Sequence, residues 1–396
     1  MFTNIDAPTM REMNRSTVLN MIYHYDPISR SEISRKTGLN KTTISYLVDE
    51  LIDSGLVVET GSESSGQPGR NPILLSINKD AGHCIGIHLE VTFLTAVITN
   101  LRGEVKFKSE RDLDVADMSG DSLTEVLAQE INLIADQAPE SSLGVIGAGI
   151  ALPGIIYSDT GRAELSNYGI ADWNIEESVG RQLPFPVYAA NDGHCGAIGE
   201  SLLRHAKDLV FIYLGYGLGG GIILDGQIRK GVRGVAGSFG HTTLYPMGIQ
   251  CSCGNYGCWE QYASGQALLR YLHDERVADE FQTANRDFFQ HAIHTVKNHS
   301  EKYERAFKMF GRYLGIGIAN IGSSLNPETI VIGGALNEAA DFFLPEIISV
   351  VERSLSWANQ LTNVITARQD AVPIGASALV ILNTVLRSPL VNPAYA

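Results

Sequence analysis

Hydrophobic positions in the first eighty residues recur every three to four places, then give way to short apolar runs separated by turns. Met13, Val18, Leu19, Ile22 and Tyr23 follow the period of a helix. Ser29-Arg30-Ser31-Glu32 has the form of a helix start, with Ser29 capping and Glu32 reaching back as its reciprocal partner. Ile33 continues that helix and Gly38 stops it. A second start falls at Asn40, after which Ile44, Leu47, Val48, Leu51 and Ile52 make one apolar stripe that ends at Gly55. Leu56-Val57-Val58 and Ile73-Leu74-Leu75 read as short strands flanking a Gly, Ser and Pro-rich stretch over 61–72. Together these predict a helix, a helix-turn-helix and a β-wing over residues 1–78.

Beyond residue 81 the pattern changes. Residues 85–98 read as strand, turn and strand; 123–135 have the spacing of an amphipathic helix; 145–151 form a Gly-rich apolar run expected to be a buried strand. Further strands are predicted at 187–190, 209–214 and 329–332, and a helix with small residues on one face at 307–325. Such alternation indicates an α/β architecture, and the length allows two lobes.

Composition narrows the function. The chain has 396 residues, 44% of them hydrophobic and 19% charged, which suits a packed core and excludes a disordered chain. A net charge of -14 argues against a general polyanion binder, so any DNA contact must be local. No apolar run is long enough to span a bilayer and the first fifteen residues lack the apolar centre of a secretory signal, so no membrane partner is expected and the cytoplasm is the expected compartment. Of five cysteines, Cys251, Cys253 and Cys258 cluster while Cys84 and Cys195 stand apart, which points to a metal site rather than a disulfide framework.

In a helix-turn-helix, the start of the second helix reaches base edges in the major groove. Here that start offers Asn40, Lys41, Thr42, Thr43, Ser45 and Tyr46, all able to hydrogen-bond, while Ile44, Leu47 and Val48 face inward. Arg70 on the slim 65–72 loop suits the narrow minor groove of A·T-rich DNA. Residues 1–80 hold eight basic against ten acidic residues, so the domain as a whole is not basic. Arg30, Arg35, Lys36 and Lys41 against Glu32 nevertheless make the turn region locally positive, and paired half-sites read by an oligomer would supply specificity.

Two motifs, Gly-Val-Arg-Gly-Val-Ala-Gly-Ser-Phe-Gly-His over 231–241 and Cys-Ser-Cys-Gly-Asn-Tyr-Gly-Cys-Trp-Glu over 251–260, carry a resemblance. With them the chain resembles the ROK family of repressors and sugar kinases along nearly its whole length, and within it the xylose-repressor type. The resemblance implies a winged helix-turn-helix (1–78) followed by a two-lobed actin/hexokinase-like domain. Its first lobe would comprise 79–205 plus 375–396, and its second 206–374, with the zinc site and a dimer surface. It further implies a homodimer or homotetramer, operator DNA and a small sugar effector as partners, and structural Zn2+ on His241, Cys251, Cys253 and Cys258. Three closely spaced thiols on a Gly-permitted turn suit zinc, and four ligands leave no open position.

Carboxylates and amides grip vicinal sugar hydroxyls through paired hydrogen bonds. Asn167, Asn191, Asp192, His241 and Glu260 lie beside strand ends or glycines, where each alone is as readily a loop cap. In the family's kinases the matching positions hold the sugar, and the matching aspartate is the base. Ser238 stands where the family has glutamate, and His241, if bound to zinc, keeps one ring nitrogen for sugar.

The kinase signature D-x-G-G-T is replaced by His88-Leu89-Glu90-Val91-Thr92, and the second phosphate turn reads Gly215-Tyr216-Gly217, where Tyr216 has the bulk to fill a nucleotide cleft. The Gly-rich 217–221 stretch alone has the look of a phosphate cradle, a weak signal. The expectation is a non-enzymatic, sequence-specific repressor of carbohydrate genes, controlled by sugar; the alternative is a ROK sugar kinase using ATP.

Overall fold

The computed structural model describes residues 6–62, 71–90, 92–113, 115, 118–157, 160–165, 169–357 and 362–387. Arg70, Val91 and Asn167 lie outside them.

The head consists of α1 (Ala7–His24), β1 (Ile28–Ser29), α2 (Arg30–Thr37), α3 (Lys41–Asp53), β2 (Val57–Ser62) and β3 (Ile73–Ile77). Its helix starts are set by local chemistry. Ser29 and Glu32 form the reciprocal capping box, Gly38 closes α2 at φ 76°, and Asn40 accepts from the Thr43 amide at 2.8 Å to open α3. β3 lies between β2 and β1, antiparallel to both. The third strand, β1, was not foreseen because two residues carry no readable period.

The first lobe follows as β4 (His83–Leu89), β5 (Phe93–Asn100), β6 (Val105–Asp112), α4 (Gly120–Ala135), β7 (Val145–Leu152), β8 (Ile155–Ile156), β9 (Ala163–Leu165), β10 (Ile170–Trp173), α5 (Ile175–Gly180), β11 (Val187–Asn191) and α6 (Asp192–Arg204). Its main sheet has the order β11-β7-β4-β5-β6, parallel across β11, β7 and β4 and antiparallel from β4 to β6. β4 and β7 are central, which explains their near-continuous apolar sequence.

The second lobe runs through β12 (Leu209–Leu214), β13 (Leu218–Leu224), β14 (Gln227–Ile228), α7 (Glu260–Ala263), α8 (Gly265–Asp274), α9 (Arg286–Lys297), α10 (Glu301–Leu325), β15 (Thr329–Gly334), α11 (Leu344–Ser354) and β16 (Asn363–Thr366). Its sheet has the order β14-β13-β12-β15-β16. α10 starts at Glu301, before the apolar face that the sequence makes visible, and buries Phe307, Phe310, Leu314 and Ile318 completely. α12 (Ala371–Val380) then returns to the first lobe and continues as a π-helical turn over Ile381–Val385. The cleft between the sheets is bounded by the ends of β4 and β12, by the start of α6, and by α7.

Candidate functional site

The start of α3 presents the expected polar set. Asn40, Lys41, Thr42, Ser45 and Tyr46 are exposed and Thr43 is half-buried, while Ile44, Leu47 and Val48 are buried. Asn40 uses Oδ1 as the helix cap, so its Nδ2 is the end available to a base edge. Tyr46 is not alone, because Arg11 of α1 donates to its Oη at 2.9 Å and to Glu50 at 2.9 Å. The expected positive charge of the turn is smaller than the sequence implies. Arg30 is neutralised by Asp49 (2.9 Å) and Glu59 (2.8 Å), and Arg35 stands 4.0 Å from Glu32. The cationic character therefore rests on Lys36 and Lys41.

In the cleft, Asn191 caps α6: Oδ1 accepts from the Gly193 amide at 2.9 Å and Nδ2 donates to Gly154 O at 2.8 Å. Its side chain also bonds the Asp192 carboxyl, so one lone pair of Oδ1 remains for a ligand. Asp192 follows at the first helical position, almost wholly buried, with Oδ1 accepting from Gly193 at 2.7 Å. Burial pushes its carboxyl up to about 7, against the pull of the Gly193 amide, and the Glu90 carboxylate adds to the rise. Glu260 opens α7. Its Oε1 accepts from the Cys251 thiol at 2.9 Å and lies 3.6 Å from His241 Nδ1. Gly217 lies beside the Glu260 carboxylate and Gly219 beside Asp192 Oδ1, so the start of β13 runs past both acids. Ser238 is exposed and donates to Val235 O within its own loop at 2.8 Å.

His241, Cys251, Cys253 and Cys258 bring their ligand atoms within 4.8 Å of one another. Cys253 Sγ and Cys258 Sγ are 3.7 Å apart, close to the edge of about 3.8 Å expected for a tetrahedral zinc–thiolate site. His241 turns Nδ1 toward Cys251 Sγ, 3.7 Å away, which leaves Nε2 for another partner. The residues therefore fit zinc.

The opposite edge differs from what a phosphate site requires. Glu90, at the end of β4, accepts from Tyr213 Oη of β12 at 2.5 Å, a contact from lobe to lobe. Burial pushes Glu90 up to about 7, offset in part by that hydrogen bond and by Arg286. His88 is buried, packs edge-on against the Tyr213 ring at 5.6 Å, and its Nε2 has no hydrogen-bond partner among the described residues. Desolvation pushes this imidazole down to about 3, so it is neutral. Arg286 of α9 closes the same side by pairing with Asp112 (2.5 Å) and Glu110 (3.3 Å) and lying 4.7 Å from the Phe93 ring centre. Tyr216, the residue expected to fill the cleft, is 39% exposed; Tyr213 takes that position instead. The Gly-rich stretch is not a cradle but the strand β13, where Gly220 and Gly221 let the α6 start at Gly193 approach within contact distance. Sequence periodicity did not reveal Tyr213 or Arg286, because their partners lie more than a hundred residues away.

The ROK family model matches residues 84–382, and a MarR family model matches residues 12–67. The chain belongs to the ROK family. It is 34% identical to the xylose repressor of Caldicellulosiruptor bescii over 385 residues, covering 94% of this chain and 96% of that protein. A solved ROK family transcriptional regulator, a homologue of the E. coli MLC protein, superposes with a TM-score of 0.77 at 27% identity and covers 94% of this chain and 96% of that one. A ROK glucokinase from Streptomyces griseus, solved with glucose and AMPPNP, superposes with a TM-score of 0.66 at 25% identity, covering 75% of this chain and 99% of its own. The repressors match head and core together, and this kinase matches the core; the head places this ROK protein with the repressors. Among the described residues, no helix is long and apolar enough to cross a membrane.

Proposed function

We propose that this repressor binds operator DNA through the start of α3 and the 65–72 wing with Arg70, as a homodimer or homotetramer in the cytoplasm, and that a sugar in the cleft sets its affinity for carbohydrate-metabolism genes. The sugar is held by Asn191, Asp192, His241 Nε2 and Glu260, joined by Asn167. The ROK core performs no phosphoryl transfer. One observation carries this reading: the Tyr213–Glu90 hydrogen bond crosses the cleft where a kinase must admit the phosphates, and its two side chains stand in place of a glycine turn with free amides. His241, Cys251, Cys253 and Cys258 hold Zn2+, which ties the loop before α7 to the turn carrying His241 and so fixes two sugar ligands relative to each other.

The test combines two measurements on the intact protein. A thermal-shift screen of pentoses, hexoses and their phosphates identifies the effector, and fluorescence anisotropy follows a duplex selected from genomic fragments by the protein. The effector lowers duplex affinity by about tenfold or more. A bound sugar that leaves duplex affinity unchanged over its saturation range refutes the regulatory part. Sugar-dependent ATP hydrolysis that disappears in Asp192→Asn refutes the non-enzymatic part.

A further inference from the structure

The head is not tethered to the core by a linker alone. Val18, Leu19 and Ile22 of α1 share one buried core with Cys84 of β4 and with Ile381 and Leu386 beyond α12. At its centre is a polar contact. The Leu386 carbonyl accepts from Asn20 Nδ2 at 2.9 Å and from Ser16 Oγ at 3.3 Å, both on α1. The last carbonyls of a helix have no partner within it, so side chains of the head satisfy the end of the helical run that begins with α12. Arg102 adds an outer clasp: it donates to Tyr23 O at 2.6 Å, lies 4.5 Å from the Tyr23 ring centre, and pairs with Asp26.

Upstream of this cap, α12 is locked into the core. It lies against α6, the helix opened by Asn191 and Asp192, so closely that a Cβ on Gly375 would come 1.7 Å from the Cys195 carbonyl. A Cβ on Gly149 of β7 would come 1.8 Å from the Ala376 carbonyl. Backbones in such contact cannot slide independently and move as one body. Between this tightly held segment and Leu386 the helix widens to the π form, whose closing bond runs from Leu386 N–H to Ile381 O at 2.9 Å. Single π turns within helices are a recurrent mark of working joints.

We infer that α12 and its π turn are the strut that sets the position of the DNA-reading head relative to the sugar cleft, with Ser16 and Asn20 as positioning residues that register α1 on the Leu386 carbonyl. This rests on the regulatory reading above. A rotation of α6 on sugar binding passes to α12 by backbone contact and to α1 through this cap. The dimer interface and zinc need take no part.

The experiment compares the parent with Asn20→Ala and with the Ser16→Ala/Asn20→Ala double variant. D-xylose is the probe, duplex affinity is measured with and without it, and sugar binding is followed by calorimetry. The variants keep sugar affinity and sugar-free duplex affinity within about threefold, while the sugar-induced loss of duplex affinity shrinks from tenfold or more to below about threefold. Hydrogen exchange, measured without sugar, shows faster exchange in α1 and in 381–386 together, with β12 and α10 unchanged. A double variant that responds to D-xylose as strongly as the parent overturns the strut. If the parent binds D-xylose without a change in duplex affinity, or does not bind it, exchange decides the strut separately from the regulatory reading: unaltered protection of α1 and 381–386 overturns it.

Discussion

On the β4 edge of the cleft, Glu90 is tied to Tyr213 across the lobes and Arg286 closes over Phe93. On the α6–α7 edge, Asn191 bonds the Gly193 amide and the Gly154 carbonyl, Asp192 bonds the Gly193 amide and the Asn191 side chain, and Glu260 and His241 meet beside the cysteine cluster. Both edges hold buried carboxylates, and burial raises Glu90 and Asp192 alike to about 7. The difference lies in where the hydrogen bonds go. At the first edge the Glu90 carboxyl is paired with the other lobe, with His88 Nε2 left unpaired among the described residues, while at the second the pairing stays within one lobe. If the proposed reading holds, a few side-chain contacts on one rim separate this core from a phosphoryl-transferring one.

The largest expected effect tests the support of the sugar edge. Cys258 is completely buried, and Cys258→Ser should abolish metal content measured by plasma emission and lower the melting temperature by roughly 5 °C or more. Full metal occupancy in that variant removes Cys258 from the ligand set. Next, Asp192→Asn should weaken sugar binding at least about tenfold by calorimetry without lowering the melting temperature, because a carboxylate has stronger hydrogen bonds to hydroxyls than an amide while burial disfavours its charge in the folded state. Equal affinity would erase the contrast between the two edges.

The β4 edge makes a pH prediction of opposite character. Glu90 in the unfolded chain ionises near 4.5, whereas in the folded protein it stays protonated up to about 7. The unfolded state thus releases its proton first, and stability falls between these values and is flat above them. Glu90→Gln keeps an acceptor for Tyr213 and removes that loss, so urea unfolding should show it more stable than the parent by up to about 3 kcal/mol at pH 8 and equal to it at pH 4.5. A destabilised variant at pH 8 would mean that the ionised carboxylate is strongly bonded in the folded state rather than penalised by burial. The smallest effect lies outside the cleft: Lys41→Ala should lower duplex affinity several-fold and reduce the salt slope by about one phosphate, leaving sugar binding unchanged. An unaltered slope would take Lys41 off the phosphate backbone.

Local signals in the sequence proved sufficient for the head. The Ser29–Glu32 box, Gly38 and Asn40 act within four residues, so they are written out in order along the chain. The His241–cysteine grouping was legible for the same reason of proximity, helped by the family motif. What escaped was long-range. Tyr213 meets Glu90 across 123 positions, and Asn20 meets Leu386 across 366. α12 escaped for another reason: Ala371–Val380 is buried on every side, and a helix without a polar face shows no period. The pairing of Arg30 with Asp49 and Glu59 likewise depends on how α3 and β2 fold back, and this overturned the simple count of local charge.

Gly149 and Gly375 carry one more implication. A single methyl group at either would collide with a main-chain carbonyl, and no rotamer change can relieve that. Substitution is therefore closed off where α12 meets β7 and α6, and sterically open at positions such as Ser238, which face solvent.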